Sequence, residues 1–188
     1  MKDHWEYRLT AIDSKTKFVL AELVVKERTL KACLAFLRQI KSWCYGQMLE
    51  QYKQELKKPV KKRRLIVFVS DKFGNYKSAW KKLFNRVTKL RFGVAIACRK
   101  YNLKHNNNHV ERHNRELSRR FDALNVFQSH LGAQSTSTLC GIVHNYITPH
   151  NMLAGKTPAE AADLALPLGE NKLLSLIQIA KKVEMTLS

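Results

Sequence analysis

The chain has 188 residues, of which 45% are hydrophobic, so it is long enough to bury one core, with or without a small appendage. It carries 34 lysines and arginines against 15 acidic residues, and its formal net charge is +19. This charge suits binding to polyanions, and no stretch approaches the roughly 18 apolar residues of a membrane span. The four cysteines form no Cys-x-x-Cys pair, which argues against a zinc site and favours reduced thiols in a cytoplasmic protein.

A β-hairpin and a long helix are predicted for the first part of the chain. Residues 5–12 and 18–25 are rich in aromatic and β-branched residues, and the polar residues 13–17 separate them as a turn. Residues 29–57 carry apolar side chains at helical spacing, as one helix or two. Thr29 is a suitable N-cap for this segment.

Strands and helices alternate in the middle of the chain. Residues 65–69 form a continuous apolar run, which is typical of a strand buried on both faces. A short helix over residues 76–84, capped by Asn75, and a strand over residues 92–98 are predicted next. Residues 99–109 are polar and predict a loop. This order of elements indicates an α/β fold with a mixed sheet and flanking helices.

The last third of the chain is predicted to be helical. Residues 110–124 and 135–146 have helical patterns, and a proline-containing break follows the second. Thr157 and Pro158 occupy the N-cap and first positions of a further helix.

One segment of the chain is densely cationic. Residues 57–64 contain six lysines or arginines in eight positions, directly before the apolar run. Such a segment can be a solvated loop or a phosphate-binding surface, and the sequence leaves both open. The candidate DNA contacts in it are Lys61, Lys62, Arg63 and Arg64.

Two acidic residues stand out against this basic background. Asp71 follows the apolar run, where ligand sites gather in open α/β sheets, and Glu111 opens a basic helix. Either acid alone could also be a turn or cap residue. Because carboxylates repel phosphate, a divalent metal ion is the natural bridge between them and a nucleic acid. The cationic residues of the helix, which are further candidate DNA contacts, are Arg112, Arg115, Arg119 and Arg120.

Several short motifs occur in order along the chain, at residues 9–20, 69–71, 107–114, 145–150 and 153–160. Together they resemble the catalytic domain of DDE transposases from prokaryotic insertion sequences, which are related to retroviral integrases. The resemblance implies an RNase H-like fold and DNA transposition. It also implies a prokaryotic, nucleoid-associated protein that is not membrane-bound, acts on transposon ends and target DNA, and forms homo-oligomers when active.

The resemblance further implies a metal site. In the family, three carboxylates bind two Mg²⁺ (or Mn²⁺) ions that assist phosphoryl transfer during cutting and joining of DNA. Asp71 and Glu111 match the second and third of these carboxylates. They are therefore the expected catalytic and metal-binding residues.

The first family carboxylate has no match in this chain. The family carries it in the middle of its first strand, whereas Asp13 matches a later, non-catalytic residue at the hairpin turn. Asp3 lies too close to Trp5 to belong to a preceding strand. We therefore expect residues 1–146 to form a core that lacks the first strand, and residues 147–188 to form a helical extension. The alternative to an active enzyme is a truncated, catalytically inactive DNA-binding remnant.

Aromatic and histidine side chains are assigned ordinary structural roles. Trp43, Tyr45 and Trp80 are predicted to lie in the core or at its edge. His109 and His113 flank Glu111 at a spacing found in metal ligands, but we interpret them as polar residues at the start of a helix.

Overall fold

The computed structural model describes residues 7–93, 108–123 and 129–187. Strands occupy the first half, and helices follow and interrupt them. Short 3₁₀ turns lie at Val60–Lys62 and Asn151–Leu153. The strands are β1 (Tyr7–Ile12), β2 (Val19–Val25), β3 (Val67–Ser70) and β4 (Lys89–Phe92). The helices are α1 (Leu30–Leu56), α2 (Gly74–Leu83), α3 (Asn108–Ala123), α4 (His130–Tyr146), α5 (Pro158–Ala161) and α6 (Lys172–Leu187).

The predicted hairpin and long helix are confirmed. Strands β1 and β2 pair antiparallel, with a register shift between Ala11 and Ile12. The chain then enters α1 as a single helix, whose N-cap Thr29 accepts a hydrogen bond from the Ala32 amide at 3.2 Å. The predicted start of the first strand, residues 5 and 6, lies outside the described residues.

The second pair of strands differs from its prediction. Strands β3 and β4 pair in parallel, from Val67 opposite Lys89 to Ser70 opposite Phe92. All four residues of β3 are half-buried, so the prediction of a strand buried on both faces is wrong. Strand β4 ends at Phe92, the first residue of the predicted strand, and Gly93 is not in a strand. Residues 94–98 of that prediction, like most of the 99–109 loop, lie outside the described residues.

The α/β class is confirmed, but the described strands form two sheets rather than one mixed sheet. Each sheet has two strands, one pair antiparallel and the other parallel. Within the described ranges, β1 and β3 are not hydrogen-bonded to each other, and no further strand joins the two sheets. Arg28 links β1 to the turn after β3, because its guanidinium carbon lies 4.8 Å from the ring centroids of both Tyr7 and Phe73.

One core joins the two sheets. Helix α1 buries one face almost completely, and the hairpin and α2 pack against this face. The second sheet joins the same cluster through Phe68 of β3, whose ring centroid lies 4.9 Å from that of Phe84. Burial of this apolar face supplies the main driving force for the shared arrangement. The buried residues of the cluster are Leu9, Ala21, Cys33, Phe36, Leu37, Ile40, Met48, Ala79 and Phe84.

Helix α4 covers the outer edge of β2. The Val24 amide donates to Oε1 of Gln134 at 2.8 Å, and the Asn145 side chain both accepts from and donates to the backbone of Val19, at 2.8 and 3.0 Å. These side-chain amides satisfy strand groups that would otherwise be free at a sheet edge. Because Ser129 caps the helix at the Gly132 amide, α4 starts five residues before its predicted position.

Two local predictions fail for different reasons. Helix α2 begins at Gly74 with Phe73 at its N-cap position, so Asn75 is not the cap. The Asn75 side chain instead donates to the carbonyl of Arg28 at 2.9 Å, which ties α2 to the segment before α1. Trp43 is 80% exposed, so the prediction that it lies in the core is wrong. In this part of α1 the buried face runs through Ile40 and Met48, and Trp43 lies outside it.

The other predictions at this level fare better. Tyr45 and Trp80 are half-buried and pack against the core, as predicted. Thr157 and Glu160 form a capping box at the start of α5, with Pro158 in the first turn. Helix α3 agrees closely with its prediction. Among the described residues, no helix is both long and apolar enough to cross a membrane.

Candidate functional site

Asp71 lies directly after β3 and is exposed. Its Oδ1 atom accepts a hydrogen bond from the Phe73 amide at 3.2 Å, within the turn that leads into α2. The neighbours of this carboxylate belong to α1 and α2. Burial raises the pKa of the Tyr76 phenol on α2 and of the Cys33 thiol on α1, and the Asp71 carboxylate raises both further.

Glu111 lies in the first turn of α3 and is half-buried. Burial raises the pKa of its carboxyl, and the charge of Arg115, one turn further along, acts in the opposite direction. Arg115 therefore lies on the Glu111 side of the helix, as the spacing predicts.

Helix α3 is fastened to the hairpin through Asn114. The Arg8 guanidinium donates to the Asn114 carbonyl at 3.1 Å, and the Thr10 hydroxyl donates to its side-chain oxygen, also at 3.1 Å. Both donors belong to β1. Glu111 is thus placed beside the hairpin, whereas Asp71 is placed at the end of the second sheet.

A buried polar pair was missed in the sequence. Oε1 of Glu22 on β2 lies 2.8 Å from Nε2 of His113 on α3, and both side chains are 4% exposed. The prediction that His113 is an ordinary polar residue at a helix start is wrong, because α4 and the hairpin cover it. The one available signal was an acid in the middle of an apolar strand; nothing local identified its partner. The side chain of His109 lies outside the described part of the chain.

The described residues do not fit a two-ion metal site. They contain no group of three or more histidine, cysteine, aspartate or glutamate side chains that could hold a metal ion. Asp71 and Glu111 offer oxygen atoms, which Mg²⁺ and Mn²⁺ prefer, but their contacts involve different elements. Two carboxylates are too few to fix two ions side by side.

Asp13 is engaged elsewhere. Its Oδ2 atom accepts hydrogen bonds from the Lys15 amide at 3.2 Å and from the amide and hydroxyl of Thr16 at 2.7 and 2.8 Å. These contacts are those of a turn residue at the end of a hairpin. Asp3, the other acid near the start of the chain, lies outside the described residues.

Three arginines of α3 are exposed to solvent. Arg112, Arg115 and Arg119 are exposed, and their spacing places them along one side of the helix. Arg120 also belongs to α3, but its side chain is outside the described part of the structure. An exposed row of guanidinium groups is suited to phosphate contacts.

The cationic segment before β3 is folded rather than extended. Lys61, Lys62 and Arg64 are exposed around the 3₁₀ turn. The Arg63 guanidinium, in contrast, donates to the carbonyls of Lys58 and Leu56 at 3.0 and 3.2 Å, so it helps to hold the segment.

Glu55, near the end of α1, organises this segment. Its carboxylate accepts hydrogen bonds from the Lys58 ammonium and from the Arg64 amide, both at 2.6 Å. The bond from Lys58, followed by that from Arg64, holds the pKa of Glu55 below its usual value. The exposed cations are therefore presented from a defined loop.

Comparison with known proteins identifies one family. A family model described as a DDE domain matches residues 1–150. No curated protein and no solved structure matches the chain. The matched region contains both sheets, Asp71, Glu111 and the cationic residues of α3 and of the segment before β3. It ends before α5 and α6.

Proposed function

The chain belongs to the DDE transposases of insertion sequences, and from this premise we propose that it cuts and joins DNA by phosphoryl transfer. The family match over residues 1–150 carries this proposal, because it supports DNA transposition as the general process. We further propose an RNase H-like fold, a core over residues 1–146 and a helical extension over residues 147–188. Association into homo-oligomers belongs to the same proposal.

Asp71 and Glu111 are the proposed catalytic carboxylates. Each is at the start or end of a regular element inside the matched region; Asp71 is exposed and Glu111 is half-buried. The family generally uses divalent metal ions. Because the described residues do not form a complete ligand set, the proposed chemistry needs a further carboxylate beyond this pair.

DNA is the proposed partner. The net charge of +19 supports it, as do the exposed arginines of α3 and the exposed cations of the segment before β3. Phosphate contacts from such residues contribute most of the sequence-independent affinity for DNA.

A second candidate function is DNA binding without catalysis. The described residues lack a third carboxylate near the pair, and they form two separate sheets where the family fold would have one. A chain of this kind keeps its cationic surface while losing turnover. It would be a remnant of a transposase rather than a working enzyme.

Three variants separate these candidates. Purified chain is incubated with labelled DNA ends and Mg²⁺ or Mn²⁺, and cleaved or joined products and bound DNA are both measured. Catalysis predicts products that fall at least about 100-fold in Asp71→Asn and in Glu111→Gln, since each removes a charged group acting at the reacting phosphate. Asp163→Asn, at an exposed position outside the matched region, is the control and should retain full turnover.

The outcomes differ for each candidate. If the wild type and all three variants bind DNA but give no product, the result supports the remnant and contradicts the enzyme. Equal product from the wild type and from both carboxylate variants would show that Asp71 and Glu111 are not catalytic. Absence of both binding and product contradicts both candidates.

A further inference from the structure

Glu22 occupies an unusual place for a carboxylate. It lies on β2, and its side chain is only 4% exposed. Oε1 pairs with Nε2 of His113 on α3 at 2.8 Å, and Oε2 accepts a hydrogen bond from the hydroxyl of Ser137 on α4 at 3.2 Å. A buried carboxylate is costly unless such donors satisfy it, and here donors from two helices converge on one strand residue.

The pair has little room to rearrange. A Cβ atom at Gly141 of α4 would lie 3.1 Å from Oε2 of Glu22, so the helix backbone closes the space beside the carboxylate. One turn further along α4, the ring of His144 packs edge-on against His113 with centroids 4.8 Å apart. The side-chain conformations of Glu22 and His113 are therefore restrained by packing as well as by their hydrogen bond.

The Glu22–His113 pair lies next to the contact between α3 and β1. His113 precedes Asn114, which accepts the hydrogen bonds from Arg8 and Thr10. Glu111 stands two residues before His113 on the same helix. Because an α-helix is rigid over one turn, a contact that sets the rotation of α3 at His113 also sets the direction of the Glu111 side chain.

We propose that Glu22 is a positioning residue, which holds His113 and thereby fixes the rotation of α3 and the place of the Glu111 carboxylate beside the hairpin. The importance of this placement rests on the proposed role of Glu111. The placement itself can be measured without DNA and without metal.

The experiment uses the full chain and the variant Glu22→Gln, which keeps the size of the side chain and removes its charge. Two readouts are taken: amide hydrogen exchange of α3, and the ¹³C signal of the Glu111 carboxyl, which is assigned by its loss in Glu111→Gln. We expect α3 to exchange about tenfold faster, because charge-assisted hydrogen bonds are the stronger ones. We also expect the Glu111 signal to shift. If Glu22→Gln loses protection throughout, His113→Gln is used instead, with the same expectation.

Asn145→Ala is the matched control. It removes another buried polar contact of β2, the paired hydrogen bonds to Val19, but this contact comes from α4. Faster exchange is expected in α4, with α3 and the Glu111 signal unchanged. The proposal is overturned if Glu22→Gln (or, where it serves instead, His113→Gln) leaves both readouts at wild-type values, or if Asn145→Ala alters them equally.

The proposed function is tested separately. Should Asp71→Asn and Glu111→Gln leave turnover unchanged while Glu22→Gln moves α3, the catalytic role of Glu111 fails and the positioning by Glu22 stands. Should turnover depend on Glu111 while hydrogen exchange of α3 is unchanged in Glu22→Gln, the positioning by Glu22 fails and the catalytic role of Glu111 stands.

Discussion

Individual carboxylates in this basic chain differ in what surrounds them. Asp13 is held by donors of its own turn, Glu55 by Lys58 and a backbone amide, and Glu22 by two helices. Asp71 and Glu111 are more open, at the end of a strand and the start of a helix. Engaged carboxylates stabilise local structure, whereas open ones are available to a ligand.

Glu55→Gln tests the first of these roles. The pKa of Glu55 is lowered in the folded chain. The ionised carboxylate therefore stabilises the fold at pH values above 4.5, its usual pKa, and this contribution is lost as the pH falls through the lowered pKa. We expect the variant to be less stable than the wild type at neutral pH, with the difference disappearing in acid. Urea unfolding of both proteins between pH 3 and pH 7 measures it.

The control is Glu50→Gln, at an exposed position of the same helix. Its stability should run parallel to that of the wild type across the pH range. A constant difference between Glu55→Gln and the wild type at every pH would contradict the assigned role.

At the residue scale, sequence patterns identify positions but not their partners. The sequence predicts Asp71 directly after a strand and Glu111 at the start of a helix, and the structure has them at such places. Their proposed roles remain predictions. Glu22 and His113 are 91 residues apart, and only the folded chain brings them together. No local pattern reports that kind of contact.

At the element scale, helix α4 approaches β2 closely at Gly141. Gly141 lies against the carboxylate of Glu22, whereas Gly46, on the exposed side of α1, has no atom within 4 Å of an added Cβ. The two glycines lie inside helices, where alanine is intrinsically favoured. Their surroundings should therefore decide the sign of the same substitution.

Gly46→Ala should raise the free energy of unfolding by roughly 0.5–1 kcal/mol, the helix preference of alanine over glycine. Gly141→Ala should lower it by about 1–2 kcal/mol, since overpacking against the restrained Glu22 outweighs that preference. Chemical denaturation of the two variants measures both values. Stabilisation by Gly141→Ala would contradict the tight packing of α4 on β2.

Local sequence rules predict the start of a helix best where a capping residue defines it. Thr29, Thr157 and Pro158 are examples, because capping depends on neighbours within a few residues. The same rules failed for Asn75, whose side chain is used by a distant carbonyl, and for the start of α4. The division of the strands into two sheets cannot be predicted from local patterns, because strand pairing depends on which strand edges meet in the folded chain.

For the whole molecule, the net charge of +19 favours association with the polyanion DNA. We expect binding to weaken linearly with salt on a double logarithmic plot, because each phosphate contact releases counterions. The combined variant Arg115→Ala and Arg119→Ala should reduce the slope by about 2, roughly one per phosphate contact. Fluorescence anisotropy at several salt concentrations provides the measurement.

Lys181→Ala with Lys182→Ala removes the same charge from exposed positions of α6, outside the matched region. This control should change the slope little. If both double variants lower the slope equally, DNA binding reflects net charge and not a surface on α3.

The common core beneath two separate sheets has a consequence for how the chain folds. Each sheet pairs strands that are consecutive in sequence, and both contribute to the core cluster that contains the buried face of α1. Such short-range pairings close small loops, so their cost in chain entropy is low. Helices α3 and α4 instead contact the hairpin across separations of 104 and 126 residues, so they must wait for a large loop to close. We expect the hairpin, α1 and the second sheet to assemble first, and the helix that carries Glu111 to dock late.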